Sequence, residues 1–298
     1  MLDEVLAGLD FQPIEYPWTT DQNPAFAVDQ ARHALGDNAT IGADWPLPNT
    51  LPFEPALART RATLTEEEVV RYRALGRDTG RIVGDVCRRL TPGDDEREIA
   101  ATMADALAAV QARGVVLLVG SDDRIRRYRH PVPTATRWKH VVLVATCAER
   151  DGLIVSVSRL VAAGAVPPDL RSRTRATATV FERLLDQTRP GTSGAALFAA
   201  AADAYAAVGF SHEELRHHQG GAIGYRARDW VAHPASAETV QTRQAFAWNP
   251  TITGTKLEDT VLVLGDRLEL ITSTPDWPSI AINPQDCALE AADVWRLD

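Results

Sequence analysis

A repeat with a spacing of 98 residues is the feature that most constrains the fold of this chain. Pro92-Gly93 and Asp105 of the first copy recur as Pro190-Gly191 and Asp203 of the second. In each copy one helical pattern precedes the Pro-Gly pair, another follows it, and strand-like segments come next. Such self-similarity indicates duplication of one supersecondary unit. We therefore predict an α+β domain with pseudo-two-fold symmetry, in which helices flank a sheet and a site lies between the halves.

Local patterns place the helices and strands of each copy. Thr65 is a typical N-cap and Glu68 stands at the capping-box position, so a long helix should follow and end before Thr91. A second helix is predicted over residues 95–113. Strands are predicted at 115–119, 141–145 and 153–157 after the first copy, and at 222–225, 245–248, 259–264 and 268–271 after the second.

The first 60 residues differ in composition from the rest of the chain. A helical pattern covers 24–35, a short apolar segment covers 39–43, and residues 44–55 carry four prolines. Because proline disrupts helix interiors, we predict an extended linker over 44–55. The predicted domains are a small N-terminal piece with its linker at 1–62, a duplicated domain at 63–275 and a C-terminal tail at 276–298.

Net charge and cysteine content indicate which partners and which cellular compartment to expect. The chain has 298 residues, 31 basic and 40 acidic, for a net charge of −9. Nucleic-acid binding is therefore not expected, because phosphate contacts need clustered positive charge. No segment resembles a membrane span or a signal peptide. Three widely spaced cysteines, Cys87, Cys147 and Cys287, indicate reduced thiols and a cytoplasmic location, with Cys147 on a buried strand.

Four short segments could carry chemistry. They are 128–134 with His130, 216–225 with His217 and His218, 246–250 with Asn249, and 255–260 with Glu258. Each also fits an ordinary turn or solvent-facing loop when it is considered alone. They follow the two copies at corresponding places, which favours one shared cleft. If 217–218 is extended, its two side chains point to opposite faces, and at most one of them faces a given site.

The residue types suggest acid/base chemistry without a metal. His130 or His217 could act as general acid or base near neutral pH. Glu258 could orient a histidine or hold a cationic substrate group, and Asn249 and Tyr225 could hydrogen-bond a substrate or an oxyanion. Paired aspartates are missing from the central strands of the first copy, so a dinuclear metal site is not expected.

The chain from about 64 to 274 resembles the pita-bread superfamily of creatinase, Xaa-Pro aminopeptidase, prolidase and methionine aminopeptidase. The segment HHQGGAIGY resembles its HxxGHGIGL motif, and NPTITGTKLEDTVLV resembles its EPG…(R)xEDTVLV motif. The segment RHPVPT resembles its first-histidine loop and is close to the HNPVT loop of creatinase. Residues 1–60 resemble the end of a smaller N-terminal domain, here shortened. The resemblance implies the pita-bread fold.

Departures from the family pattern concern the metal ligands. The metallopeptidases of this superfamily use two aspartates, one histidine and two glutamates. In this sequence the five positions fall on Ala145, Ser156, Gly221, Asn249 and Glu258. Four of the five ligands are therefore replaced, and we expect neither a metal nor another cofactor.

The resemblance to creatinase implies an activity that needs no metal. Creatinase is a metal-free homodimer that hydrolyses a C–N bond in a small guanidino acid, with a histidine that falls on His130. We therefore predict a metal-independent hydrolase of small polar amides or amidines, or of short peptides, which forms a homodimer. His130 would be the acid/base, and His217, Asn249 and Glu258 would position substrate and water. The predicted pocket wall comprises Arg129, His218, Tyr225, Arg228, Trp248 and Lys256.

Three alternatives remain open from the sequence. A biosynthetic cyclase, lyase or isomerase could use the same fold. A non-catalytic module could bind peptides or a protein, as this fold does in chromatin factors, although a scaffold has no need for the retained histidines. A metal-dependent Xaa-Pro aminopeptidase or prolidase would have to use His217, His218 and Glu258 in a different way.

Overall fold

A computed structural model describes residues 8, 14–17, 19–20, 23 and 25–298. It divides the chain into two compact units, residues 1–60 and 61–298. Among the described residues, no helix combines the length and the apolar character that crossing a bilayer requires.

In the described part of the first unit, a pair of very short strands lies between one helix and the start of another, which ends just inside the second unit. Helix α1 spans Phe26–Leu35, and strands β1 (Gly42–Ala43) and β2 (Leu51–Pro52) pair in parallel. The predicted helix at 24–35 is thus present, although residue 24 lies outside the described residues. Helix α2 begins at Glu54 and runs to Ala62, so the predicted linker ends earlier than expected. Pro55 is compatible with this helix because the first turn needs no partner for its missing N–H.

The first half of the second unit opens with the predicted capped helix. Helix α3 spans Glu66–Arg88, and the Glu68 N–H donates to Thr65 Oγ1 at 3.2 Å while the Thr65 N–H donates to Glu68 Oε2 at 2.6 Å. The capping-box prediction is therefore confirmed. Helix α4 spans Glu96–Ala108 and ends five residues before the predicted end at 113. The chain turns instead at Gln111, whose φ is 60°, and continues as a strand.

A four-stranded sheet follows these two helices. Strands β3 (Arg113–Ser121), β4 (Val141–Arg150) and β5 (Leu153–Ala163) are antiparallel neighbours, and each is longer than predicted. A short helix, α5 (Asp123–Arg127), follows β3. The strand at Trp295–Leu297 pairs in parallel with β5, so the end of the predicted C-terminal tail belongs to this sheet.

The second half repeats the arrangement of two helices followed by strands. Its helices are α6 (Pro168–Gln187) and α7 (Gly194–Ala207). The strands that follow are β6 (Gly220–Ile223), β7 (Trp230–Val231), β8 (Gln244–Trp248), β9 (Thr251–Ile252), β10 (Thr255–Lys256), β11 (Asp259–Leu264), β12 (Arg267–Leu270), β13 (Ser279–Ile282) and β14 (Leu289–Ala292). The strand at Trp295–Leu297, which joins the sheet of the first half, is β15. The five-stranded sheet has the order β12-β11-β8-β6-β7, while β9 pairs with β10 and β13 with β14.

The two copies share their turn chemistry. Gly93 and Gly191 have φ angles of 104° and 92°, a conformation that glycine adopts without steric cost, and each precedes the second helix of its copy. The two sheets meet where β5 approaches β11. Here the Ser158 N–H donates to the Glu258 carbonyl at 3.0 Å, and Thr260 Oγ1 accepts from the Ser156 N–H at 2.8 Å. The predicted α+β fold with internal duplication is confirmed.

A buried ion pair reinforces this junction between the sheets. Arg159 Nη2 lies 2.9 Å from Asp259 Oδ1, and the two side chains are 2% and 1% exposed. The Thr272 hydroxyl donates to the same carboxylate at 2.7 Å. Charges this deeply buried are tolerated only when they are paired and hydrogen-bonded, so β5 and β11 are held in one register.

Candidate functional site

Three histidines from two loops meet in the second unit. His130 follows α5, and His217 and His218 precede β6. The Nε2 atoms of His130 and His217 are 3.0 Å apart, and the ring centroids of His130 and His218 are 5.8 Å apart. His217 and His218 stack, with centroids 4.5 Å apart and planes at 21°. The condition under which they would point to opposite faces is not met, because this segment is irregular rather than extended.

A buried carboxylate fixes the loop that carries His130. Glu96 is fully buried at the start of α4 and accepts hydrogen bonds from the Ser121 hydroxyl at 2.7 Å and the Thr134 hydroxyl at 2.8 Å. It also accepts from the Thr134 N–H at 3.0 Å and pairs with Arg124 at 3.1 Å. The far end of the His130 loop is thereby attached to a rigid helix.

Arg129 connects the two histidine-bearing loops. Its guanidinium pairs with Glu213 and donates to Thr253 Oγ1 at 2.8 Å. Glu213 belongs to the single 3₁₀ turn that precedes His217 and also accepts from the Thr253 hydroxyl at 2.8 Å. The prediction placed Arg129 in the pocket wall, but these contacts show it linking the loops that bring His130 and His217 together.

Glu258 is the charged centre beside the histidines. It is 4% exposed and lies between two cations, with Arg228 Nη2 at 3.1 Å and Lys256 Nζ at 3.3 Å. The Ser158 hydroxyl donates to Glu258 Oε2 at 2.7 Å. One carboxylate therefore faces two cationic side chains, which leaves a net charge of about +1 at this point.

Two small side chains border the same charges. Arg228 Nη1 donates to Ser156 Oγ at 3.2 Å, and Ser156 Oγ lies 3.1 Å from Cys147 Sγ. Cys147 lies on the buried strand β4, as predicted. Burial raises the pKa of its thiol, and the charge of Glu258 adds to this rise. The thiol is therefore protonated near neutral pH and is a poor nucleophile.

Burial and positive charge keep the three imidazoles neutral. Burial lowers the pKa of His217 to about 2, and Lys256 contributes the next largest effect. Burial and then Arg228 lower the pKa of His218 to about 4. The pKa of His130 is also lowered, first by burial and then by Lys256. At neutral pH each ring therefore keeps one nitrogen that accepts and one that donates.

The pKa of Glu258 is also lowered, but here burial opposes the change and neighbouring positive charge causes it. Burial alone would raise it, but Lys256, Arg228 and the Ser158 hydroxyl together lower it to about 2. The carboxylate is thus ionised throughout the range in which the histidines are neutral. The site combines proton-accepting imidazoles with a fixed cluster of one negative and two positive charges.

Asn249 lies behind the histidine cluster. It is 1% exposed, and its backbone N–H donates to the backbone carbonyl of Gln219 at 2.9 Å. The Gln219 side chain in turn donates to the His217 carbonyl. Within the described part of the chain, Asn249 Oδ1 has no hydrogen-bond partner. The side-chain amide of Asn249 thus keeps a free acceptor oxygen. Gln219 alone stands between Asn249 and His217 in this chain of contacts.

Trp248 and Tyr225 do not lie in the wall of this site, contrary to the prediction. Trp248 is fully buried, and its indole N–H donates to Thr188 Oγ1 at 3.0 Å within the core of the second half. The Tyr225 hydroxyl donates to Glu68 at the start of α3, and its ring lies against Gly152. Both predictions failed because side-chain direction depends on strand register and loop path, which short motifs do not specify.

Ser158, Glu96 and Glu213 belong to the site or its support, but the sequence analysis missed them. Ser158 stands two residues after Ser156 on β5, so period-two alternation could have placed both on one face. Its contact with Glu258, which lies 100 residues away in sequence, depends on how the two sheets meet. Glu96 and Glu213 resemble ordinary residues at the start of helical turns, and no local signal distinguishes them.

Comparison with known proteins identifies the family. The model of metallopeptidase family M24 matches residues 71–264, which is more than half of the chain. The chain belongs to metallopeptidase family M24. The matched range includes the three histidines and Glu258. Comparison with curated proteins gives no match.

Solved structures show the fold of this M24 chain. X-Pro aminopeptidase from Thermotoga maritima is 14% identical with a TM-score of 0.78, and the alignment covers 99% of this chain and 85% of that one. Dipeptidase PepE from Mycobacterium ulcerans is 20% identical with a TM-score of 0.71, over 84% of this chain and 66% of that one. The N-terminal domain of the FACT complex subunit SPT16 from chickpea is 12% identical with a TM-score of 0.69, over 89% and 74%. The pita-bread fold is confirmed.

The residues of this chain do not fit the dinuclear metal site that the M24 name implies. A Cβ atom at Gly221, where the family's histidine would stand, would lie 2.1 Å from the Trp230 carbonyl oxygen on β7. No side chain can occupy that position without moving β7. Ala145 offers no donor atom, and Glu258 is already paired with Arg228 and Lys256. With no side-chain donor at Ala145 or Gly221 and with Glu258 paired to two side-chain cations, the five positions do not supply the ligands of two divalent cations.

Proposed function

We propose that this M24 chain is a metal-independent hydrolase that cleaves a C–N bond in a small polar amide, amidine or short peptide. The ion-paired Glu258 carries the proposal. In the metal-dependent relatives that the sequence resembles, this position is a metal ligand, whereas here Arg228 and Lys256 lie within 3.3 Å of its carboxylate. Side-chain cations therefore supply the positive charge that metals would supply elsewhere.

Arg228 and Lys256 suit a substrate that carries or develops negative charge. Glu258 neutralises only one of them, and both are held before any substrate arrives, Arg228 by Ser156 Oγ and Glu258, and Lys256 by Glu258. Preorganised donors of this kind stabilise an oxyanion without reorganising during the reaction. The excess charge also favours a substrate carboxylate or a similar anionic group. Asn249 Oδ1 is an additional acceptor for a substrate N–H.

The histidine pair supplies proton transfer. In the proposed arrangement both rings are neutral, and His130 donates its Nε2–H to the Nε2 lone pair of His217 3.0 Å away, which leaves the lone pair at His130 Nδ1 free to accept a proton. In the proposed reaction His130 takes a proton from water, the water oxygen bonds to the carbon, and the C–N bond breaks. The same imidazole then returns the proton to the leaving nitrogen. His217 fixes the orientation of the His130 ring during both transfers.

The relatives support C–N bond cleavage in a general sense. One similar structure is an X-Pro aminopeptidase and another a dipeptidase, and the names of both describe cleavage of peptide bonds. Family M24 is itself a peptidase family, and creatinase, which the motifs resemble, acts without metal. A homodimer, which the resemblance to creatinase implies, and a cytoplasmic location, which the three widely spaced cysteines indicate, remain predictions.

Screening under metal-free conditions tests the proposal. The purified protein, treated with a chelator and checked for residual metal, is incubated with dipeptides, amino-acid amides and amidines, and release of the amine is measured. We expect turnover that survives chelation and is lost in His130→Gln. Turnover that requires added Mn²⁺, Co²⁺ or Zn²⁺, or that is unchanged in His130→Gln, would contradict the proposal.

A binding module is the second candidate function. The similarity to the SPT16 domain and the steric closure of position 221 favour it. In the same screen this function predicts tight binding of peptides without amine release. The hydrolase proposal ranks first because the histidine pair and the charged centre lie side by side, an arrangement that peptide binding alone does not require.

A further inference from the structure

The three imidazoles form a cluster of nitrogen donors that is separate from the family's carboxylate positions. One ring nitrogen from each of His130, His217 and His218 lies within 4.8 Å of the others. In the part of the chain that the structure describes, this is the one group of three or more His, Cys, Asp or Glu side chains whose donor atoms converge in this way. The cluster lies in loops, whereas three of the five positions that correspond to family ligands lie on strands β4, β5 and β6, and the other two, Asn249 and Glu258, lie next to the ends of β8 and β11.

The spacing of the nitrogens is close to that of a single metal ion. Zn–N bonds of about 2.0–2.1 Å in tetrahedral geometry place two nitrogens about 3.3 Å apart. The His130 and His217 Nε2 atoms are 3.0 Å apart, so a small opening of this pair would admit an ion. His218 stacks on His217 and needs only a small approach to join them.

Few existing contacts oppose such a movement of the rings. The Nδ1 atoms of His217 and His218 are buried and have no hydrogen-bond partner among the described residues. Turning either ring therefore breaks no hydrogen bond from Nδ1. The contact between His130 and His217 is lost, and two metal–nitrogen bonds replace it. His130 is the most exposed of the three, which leaves a path for an ion from solvent.

The donor set also determines which ions fit. Three neutral imidazoles and no carboxylate suit Zn²⁺, Ni²⁺ or Cu²⁺, while Mg²⁺ and Ca²⁺ prefer oxygen ligands. Glu258 is held by Arg228 and Lys256 and does not contribute a ligand. The excess positive charge of these two residues weakens cation binding, so the affinity should increase when Lys256 is neutralised.

We propose that His130, His217 and His218 together bind one divalent ion of the zinc, nickel or copper type. This site is distinct from the dinuclear site that the chain has lost, and its existence does not depend on the proposed hydrolase activity. The fourth coordination position would face the approach to His130 and take water or an exogenous anion.

Titration of the metal-free protein with Co²⁺ or Zn²⁺ tests the site directly. Tetrahedral Co²⁺ absorbs strongly in the visible range, and calorimetry with Zn²⁺ gives the stoichiometry. We expect one ion per chain, with no competition from millimolar Mg²⁺. His218→Ala should weaken binding by more than about 100-fold, because changes outside the ligand shell already cost 10–100-fold. Lys256→Met should tighten binding several-fold.

Control variants separate loss of a metal ligand from loss of the fold. His140→Ala changes an exposed histidine outside the cluster and should bind as the unaltered protein does. Circular dichroism of each variant shows whether it is folded, and His130→Ala provides a second ligand deletion at an exposed position. The proposal fails if the protein binds no stoichiometric ion, or if binding persists in both His218→Ala and His130→Ala. Either failure leaves the hydrolase proposal standing, because no turnover is measured.

Discussion

The Nε2 atoms of His130 and His217 lie 3.0 Å apart although the residues are 87 positions apart in sequence. Arg129 and Glu213, each near one of these histidines, form the ion pair that brings their loops together. Because burial keeps both rings neutral, they share a single proton along this contact. Proton transfer at the site is therefore a property of the pair and not of one residue.

Removal of either ring should impair the proposed acid/base step, and removal of His130 should impair it more. We expect His130→Gln to lower kcat by about 10²–10⁴-fold, the usual contribution of a positioned proton-transfer group. His217→Gln should have a smaller effect, because it removes the orientation of His130 and leaves its lone pair. The measurement is steady-state kinetics on a substrate from the metal-free screen. His140→Gln is the matched control, and equal losses in all three variants would contradict the assignment.

Neutralising Lys256 should raise the pKa of His217. After burial, the charge of Lys256 is the largest cause of the depressed pKa, so Lys256→Met relieves part of the cost of protonating the ring. NMR titration of the imidazole carbons measures the shift. The control is Lys139→Met, an exposed lysine outside the site, which should leave the His217 titration unchanged. A downward or absent shift in Lys256→Met would show that Lys256 does not act on His217.

Local sequence patterns predicted the elements of the fold better than their ends. The capping box at Thr65 and Glu68 is formed by contacts three residues apart, and so the sequence specifies it fully. Strand cores were recognised because apolar runs mark them, while their polar ends, such as Glu149 and Arg150, carry no such signal. The helix predicted to reach 113 ends at Ala108, because the chain must turn at Gln111 to enter β3.

The sequence predicted which residues belong to the site where motifs mark them, but it did not predict side-chain directions, which depend on long-range packing. The repeat and the motifs placed His130, His217 and Glu258 near one cleft, and the structure brings their elements together. The stacking of His217 on His218 depends on an irregular backbone that period-two alternation cannot anticipate. Likewise, the direction of Trp248 follows from the pairing of β8 with β6 and β11, a long-range register.

Acidification should destabilise the protein over a pH range that is set by the lowered pKa values of His217 and His218. The folded-state pKa of His218 is about 4 and that of His217 about 2, both below the ordinary value of 6.5. The unfolded chain therefore binds more protons below about pH 6.5, and the free energy of unfolding falls as the pH decreases from there. Each such group contributes a slope of up to about 1.4 kcal/mol per pH unit.

Urea denaturation at pH 7, 6 and 5 measures this slope. His218→Gln should flatten it, and His140→Gln should leave it unchanged. Glu258 acts in a separate window, because its lowered pKa gives stability that is present above 4.5 and is lost as the pH falls towards 2. Glu258→Gln should therefore not alter the slope between pH 7 and 5. A slope in His218→Gln equal to that of the unaltered protein would refute the assignment.

Glu96 should be needed both for stability and for order in the His130 loop. Glu96→Gln removes a fully buried charge and leaves Arg124 without its counter-charge, which should cost about 3 kcal/mol. Chemical denaturation gives this value, and hydrogen exchange should show faster opening over 128–134. Glu67→Gln, at an exposed position on α3, should change stability by less than about 0.5 kcal/mol. Unchanged exchange in Glu96→Gln would show that the loop is held by other contacts.

If the hydrolase proposal holds, a chelator should leave turnover by this protein unchanged and added Zn²⁺ should lower it, whereas a metal-dependent peptidase would lose activity on chelation. Glu258 is occupied by Arg228 and Lys256, so a chelator removes nothing that the proposed reaction uses. Zn²⁺ bound at His130 Nε2 would leave the proton of that neutral ring on Nδ1, so His130 would have no free lone pair to accept a proton and turnover should fall as the ion binds. The inhibition should match the Zn²⁺ binding curve of the same protein preparation. It should weaken in His218→Ala, which keeps His130 but loses one ligand. Activation by Zn²⁺ instead of inhibition would refute metal-independent hydrolysis while leaving the three-histidine site in place.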